Sequence, residues 1–182
     1  PVYVPFPYDT GIAAQAPGAI PGFLLGAGPP VPPKPGMSID VDARADDVAS
    51  SGYQRLADTA YWTNLSSFAG HGGKLIFYHG MSDPTFAATD TLDYYKRMTD
   101  ANGGPDKVQQ WSKFYFVPGM LHCRGGEAAL DQFDLLDALV SWVEKGTAPE
   151  GVVATGAALP GRSRPLCAYP KHAQYTGSGD TQ

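Results

Sequence analysis

Apolar residues gather into two short unbroken runs and two periodic stretches, all between residues 74 and 146. The first run, Lys74-Leu75-Ile76-Phe77-Tyr78, follows Gly70-His71-Gly72-Gly73 and ends in His79-Gly80-Met81-Ser82-Asp83-Pro84. A continuous apolar run bounded by turn formers predicts a strand covered on both faces, as in a parallel sheet. From Ala87 to about Met98, the residues Leu92, Tyr95 and Met98 recur at helical spacing, and Asn102-Gly103-Gly104-Pro105 supplies the stop. Phe114-Tyr115-Phe116-Val117, closed by Pro118-Gly119, predicts a second strand. Ala129, Leu130, Phe133, Leu136, Leu139, Val140 and Val143 then follow in three- and four-residue steps up to Gly146, and predict a helix with a glycine stop. Trp111 and Trp142 are expected in the core.

The flanks read differently. Residues 1–45 mix aromatics with turn formers and contain Pro29-Pro30-Val31-Pro32-Pro33-Lys34-Pro35, whose fixed φ angles enforce an extended course. This segment is expected to be a lid or connector, with Tyr3, Phe6 and Tyr8 as lid aromatics; the bland alternative is a set of rings that another part of the protein covers. Residues 43–60 are polar and weakly helical, and residues 147–182 are expected to pack as an extended tail. Residues 46–182 then form one body, and strand-helix-strand-helix order makes it α/β, with a parallel pair joined by a crossover helix.

Composition narrows the function. A chain of 182 residues with 43% hydrophobic content suits one domain or part of one. The formal charge of −5 offers no cationic surface for a polyphosphate, which argues against a nucleic-acid partner. No run approaches the roughly 18 apolar residues that span a bilayer, so no membrane partner is expected. The start at Pro1-Val2-Tyr3-Val4 reads as that of a processed or internal piece. Cys123 and Cys167 have three options: free thiols, a bond to each other, or bonds to cysteines elsewhere.

Asp83 and His122 each follow a predicted strand, 39 residues apart. Parallel strands send both loops to one edge of the sheet, where open α/β sheets bind ligands. Acid then histidine is the back half of a nucleophile-acid-histidine triad in the α/β-hydrolase order. In such a triad the imidazole takes a hydroxyl proton and returns it to the leaving group, while the carboxylate fixes the imidazole's tautomer. The bland alternative is a helix-capping aspartate and a surface histidine. No G-x-S-x-G elbow is present: Ser82, Ser163 and Ser178 all lack the strand before and helix after, so the serine of such a triad is expected outside these residues. A hydrolytic zinc site would use His71, His79, Asp83 and His122, but no tight ligand doublet is present. A non-catalytic binding or interaction module is the third reading.

Gly72 to Pro84, the stretch Phe116-Val117-Pro118-Gly119-Met120-Leu121-His122-Cys123-Arg124-Gly125-Gly126, and Leu139-Val140-Ser141-Trp142-Val143-Glu144-Lys145-Gly146 together resemble the C-terminal part of the tannase and feruloyl esterase family. That family includes a hydrolase of mono(2-hydroxyethyl) terephthalate. The resemblance spans roughly residues 60 to 175 and implies the C-terminal portion of an α/β-hydrolase fold. It further implies a secreted or periplasmic serine esterase acting on small aromatic acid esters, with Asp83 orienting His122 and with His79 and Phe86 lining the acyl pocket; the bland alternative for His79 is a structural histidine bonded to backbone at the strand end. Cys123 would be bonded to a cysteine beside the serine, in an N-terminal portion of the enzyme that is this chain's partner, and Cys167 would be the family's tail cysteine. No cofactor is expected in this chain; the family's calcium, where present, belongs to the lid.

Overall fold

The computed structural model describes residues 52–178 and the isolated positions 42, 46 and 50. The chain divides into two compact units, Pro1–Trp62 and Thr63–Gln182. Apart from position 42, the expected lid segment 1–45 lies outside the described residues, and so do its aromatics and its polyproline stretch. In the first unit the described residues form helix α1 (Gly52–Ala57), within the stretch expected to be weakly helical. The Trp62 indole N–H donates to the Arg55 carbonyl at 3.2 Å.

The second unit is α/β. Helix α2 (Ser66–Gly70) precedes β1 (Leu75–Gly80), then come α3 (Ala88–Ala101), α4 (Pro105–Val108) and β2 (Ser112–Val117). β1 and β2 pair in parallel, from Leu75 opposite Ser112 to Gly80 opposite Val117. Successive strand residues point to opposite faces, and the packing follows that period. Phe114, with Leu75, Phe77 and Phe116, joins Tyr95, Met98 and Val108 on one face. Tyr115 and Val117, with Ile76, join Leu130, Leu135 and Leu166 on the other. Phe114, Tyr115, Met98 and Val117 are all essentially inaccessible, and each contributes about 1.5–3 kcal/mol through burial. Trp111 and Trp142 are buried, as the sequence predicts.

β2 is covered on both faces, but β1 is only half covered by the described residues, and Tyr78 is 48% exposed. Tyr78 meets Phe133 edge-on at 5.5 Å. The crossover helix α3 runs past the expected end to Ala101. Asn102 then terminates it by closing the chain back on itself: its side-chain amide donates to the carbonyls of Met98 and Thr63, and its Oδ1 accepts from Leu65 N–H. The expected stop at Pro105 is also a start, since Pro105 occupies the first turn of α4, where its missing N–H costs nothing.

Helix α5 (Leu135–Lys145) begins later than the apolar periodicity from Ala129 suggests. Asp134 caps it, accepting from Asp137 N–H at 2.8 Å, and Gly146 closes it at φ 72°. Ala129 and Leu130 reach the core from non-helical backbone, because Gln132 is held in a two-way backbone pair with Thr155, both bonds at 2.8 Å. The tail is more regular than expected: β3 (Gly151–Ala154) and β4 (Arg164–Cys167) pair antiparallel. Tyr169 N–H donates to the Phe114 carbonyl at 2.8 Å and so ties the segment after β4 to β2. Lys113, buried on β2, reaches Glu150 Oε1 at 3.0 Å, and Lys171 holds the other carboxylate oxygen at 2.5 Å.

Candidate active site

The parallel register makes β1 and β2 finish level, at Gly80 and Val117, so the loops that follow leave the same edge. They are stitched together at once: Met81 N–H donates to Val117 O and Ser82 N–H to Met120 O, both at 3.0 Å. Gly80 makes this approach possible, since a side-chain carbon there would collide with the backbone carbonyls of Met120 and Leu121.

Asp83 lies on the first loop with its carboxylate 3% exposed. Oδ1 accepts the backbone N–H groups of Thr85 at 2.7 Å and Phe86 at 3.1 Å. Oδ2 lies 2.7 Å from His122 Nδ1 on the second loop. Burial alone would raise this acid's pKa, but the hydrogen bonds from His122, Thr85 and Phe86 outweigh it and hold the carboxyl below its usual range. An ionised carboxylate can only accept, so Nδ1 of His122 carries the hydrogen, and in the neutral ring Nε2 keeps its lone pair. The His122 side chain is 49% exposed, and among the described residues Nε2 has no hydrogen-bond partner.

The loop bearing His122 is shaped by its own turn. Leu121 N–H donates to Gly125 O at 3.0 Å, and Gly125 N–H donates to Asp131 Oδ2 at 2.6 Å. Cys123, next to the imidazole, takes the left-handed conformation at φ 71°, uncommon for a side-chain-bearing residue. Cys123 is exposed, Cys167 is partly buried, and the two are not bonded to each other.

Of the two residues expected in an acyl pocket, Phe86 is 56% exposed, with its ring 5.5 Å from the His122 imidazole. His79 is turned inward, 13% exposed, on the face of β1 that meets α3. Its Nδ1 lies 2.8 Å from Thr91 Oγ1, and its Nε2 lies 3.1 Å from the Phe86 carbonyl and 3.2 Å from Asp83 Oδ2. Sequence reasoning passed over Gly80, Thr91 and Asp131. Thr91 had a usable signal, because it precedes Tyr95 by one helical turn on the stripe that faces the sheet.

His71 sits apart from this group, with its ring bonded to Ser67 O at 2.7 Å. Among the described residues no three His, Cys, Asp or Glu side chains are placed to share a metal ion. The lid, to which the family's calcium belongs where present, lies outside the described residues. A cavity of about 410 Å³ lies elsewhere, lined by Tyr95, Lys96, Thr99, Val108 and Tyr169 among others, and neither Asp83 nor His122 borders it. No helix among the described residues is long and apolar enough to cross a membrane.

Known proteins resemble this chain in sequence and in fold. The family described as "Tannase and feruloyl esterase" matches residues 35–182. A mono(2-hydroxyethyl) terephthalate hydrolase of Piscinibacter sakaiensis is 48% identical over 124 residues, 65% of this chain and 20% of that protein. Feruloyl esterase B of Aspergillus niger is 35% identical over 138 residues, 66% of this chain and 26% of its own length. Among solved structures, an esterase from Aspergillus oryzae superposes with a TM-score of 0.71 at 27% identity, over 88% of this chain and 34% of that one. The chain thus spans about a fifth to a third of the proteins it resembles.

Proposed function

This chain belongs to the tannase and feruloyl esterase family, and on that premise we propose that it supplies the acid and the histidine of a serine esterase that cleaves small aromatic acid esters. The observation that carries the reading is the 2.7 Å contact of His122 Nδ1 with Asp83, which leaves Nε2 directed away from the carboxylate on a half-exposed ring. The nucleophilic serine comes from an N-terminal portion of the enzyme. α5 carries a stripe suited to packing against such a portion: Leu136, Val140 and Val143 recur on one face and are 70%, 42% and 61% exposed.

The reaction follows from these placements. His122 Nε2 takes the proton of the serine hydroxyl as its oxygen bonds to the ester carbonyl carbon, and the carbonyl electron pair moves onto oxygen. Backbone N–H groups of the serine-bearing portion form the oxyanion hole. The imidazolium then returns its proton to the alkoxy oxygen as that C–O bond breaks, leaving an acyl-serine. Water, deprotonated by the same Nε2, attacks the acyl carbon; the acyl–serine C–O bond then breaks, the imidazolium returns its proton to the serine oxygen, and the acid leaves. Throughout, Asp83 keeps the Nδ1–H tautomer and stabilises the charged ring. The exposed Phe86 ring beside His122 suits an aromatic acyl group, which would stack against it. Cys123, exposed next to His122, is the residue through which a disulfide would join the serine's loop, and that bond suits a secreted or periplasmic enzyme.

The reading of the site as zinc-dependent is disfavoured by one feature: His122 Nδ1 and His79 Nε2 both face the same Asp83 oxygen, so each presents an N–H group and not a metal-binding lone pair toward the carboxylate. The test is hydrolysis of methyl ferulate and p-nitrophenyl acetate by the complete enzyme. His122→Ala and Asp83→Asn should each lower kcat by about 10³–10⁴-fold with the fold intact. Near-normal turnover in either variant, or loss of activity on chelation, would overturn the assignment.

A further inference from the structure

Two imidazoles converge on one carboxylate oxygen. Asp83 Oδ2 lies 2.7 Å from His122 Nδ1 and 3.2 Å from His79 Nε2, while Oδ1 is occupied by the two backbone N–H groups. Three N–H groups hydrogen-bond to the carboxylate, and His79 Nε2, hydrogen-bonded to the Phe86 carbonyl, stands beside Oδ2 as a fourth polar neighbour. We propose that His79 is a positioning residue of the ester-cleaving pair: anchored by Thr91, its Nε2–H fixes the orientation of Asp83 and, through it, that of His122. This rests on the esterase reading above, and it assigns His79 to the interior of the catalytic apparatus rather than to the substrate pocket.

The tautomer follows from the surroundings. Nε2 faces two acceptors, the Phe86 carbonyl at 3.1 Å and the Asp83 carboxylate, so it must carry a hydrogen. Nδ1 faces the Thr91 hydroxyl at 2.8 Å, which can donate to it. A neutral His79 is fully satisfied in that arrangement. The parallel strand sets its direction: the strand period puts residue 79 on the face of Leu75 and Phe77, and Phe77 packs against Tyr94 and Tyr95 of α3, one turn beyond Thr91.

Two consequences follow. Without the second imidazole, the Asp83 carboxylate would be held from its outer side by backbone N–H groups alone and would rotate about its χ2, carrying His122 with it. The Nε2–H edge standing 3.2 Å from Oδ2 also makes that oxygen a poorer base, so it orients the His122 N–H without removing its proton.

The experiment compares His79→Leu, His79→Gln and Thr91→Val in the complete enzyme, each with methyl ferulate and with p-nitrophenyl acetate. Glutamine places an amide N–H near the position of Nε2; leucine does not. Expected for His79→Leu is a drop in kcat of about 10–100-fold, equal for both esters, with KM unchanged and with activity largely recovered in His79→Gln. The downfield proton resonance of the His122 Nδ1–H should broaden or vanish in His79→Leu and persist in His79→Gln. If His79→Leu does not fold, Thr91→Val, which keeps the ring and removes its anchor, should show a smaller change of the same kind in both readouts. A rise in KM for the ferulate alone, with kcat preserved, would make His79 a pocket wall and overturn the proposal. So would an unaltered His122 proton signal in His79→Leu. A wild-type enzyme inactive on both esters would instead remove the esterase reading beneath it, a result distinguishable from the other two.

Discussion

The Cα of Gly80 lies against the backbone carbonyl of Leu121, with no room between them for a side chain. This contact sets the distance between the loop that carries Asp83 and the loop that carries His122. Gly80→Ala should therefore destabilise the fold by about 1–3 kcal/mol and lower kcat more than it raises KM. Denaturant unfolding and steady-state kinetics on the same variant check both. Stability lost without any effect on kcat would show that the two loops find each other by other means.

Phe86 makes a separate prediction about specificity. Its ring is 56% exposed and flanks the imidazole at 5.5 Å. Phe86→Ala should raise KM for methyl ferulate about 3–10-fold, the worth of one aromatic pair, and leave KM for p-nitrophenyl acetate nearly unchanged. Equal effects on both esters would mean that the ring shapes the loop rather than the substrate site.

Glu150 should govern part of the acid sensitivity of the fold. Its hydrogen bonds to Lys171 and Lys113 hold its carboxyl below the usual glutamate range. A carboxyl depressed on folding stabilises the native state fully above its unfolded value of about 4.3. That contribution fades as pH falls through the lower folded value. Glu150→Gln should remove this dependence and leave the buried Lys113 ammonium uncompensated, at a cost of about 1 kcal/mol once the exposure of the carboxylate is discounted. Replacing Lys113 by Met in the same chain should recover the loss. Urea midpoints at pH 7 and pH 4 test this; an unchanged difference between the two midpoints in Glu150→Gln would refute it.

The capping aspartate of α5 gives a fourth test. Asp134→Ala should cost about 1 kcal/mol and Asp134→Asn much less, because the amide oxygen can still accept from Asp137 N–H. Equal losses in the two variants would show that charge, not the cap hydrogen bond, is what matters there.

Much of this arrangement can be read from residue order, and the reasons are local. The apolar run at residues 75–77 and its counterpart at 114–117 are strand-like whatever surrounds them, and the crossover between them directs Asp83 and His122 to one edge. Three features depend on contacts between distant parts of the chain and leave little trace in sequence. α5 starts at Leu135 and not near Ala129 because Thr155, beyond the helix, claims the backbone of Gln132. The tail forms β3 and β4 because Pro165 and Arg164 find partners in Val153 and Ala154, although the segment is rich in turn formers. His79 reads in sequence either as a pocket residue or as a structural histidine bonded to backbone at the strand end; β1 extends through it to Gly80, and the strand period then turns it toward Thr91. A boundary shift of two residues thus alters which face a histidine occupies.

The flush ending of the two strands has a bearing on how such a scaffold can tolerate change in length. One residue inserted within β1 would advance the Asp83 turn by about 3.3 Å and exchange the two sides of the ladder, sending Tyr78's ring where the second imidazole now sits. No hydrogen bond of 2.7 Å survives such a slip. Insertions and deletions should be accommodated instead where the backbone is neither laddered nor near Asp83 and His122, as at the turn between α3 and α4 around Gly103 and Gly104. Natural variants of this fold should accordingly differ in length there and keep the 75–83 spacing fixed.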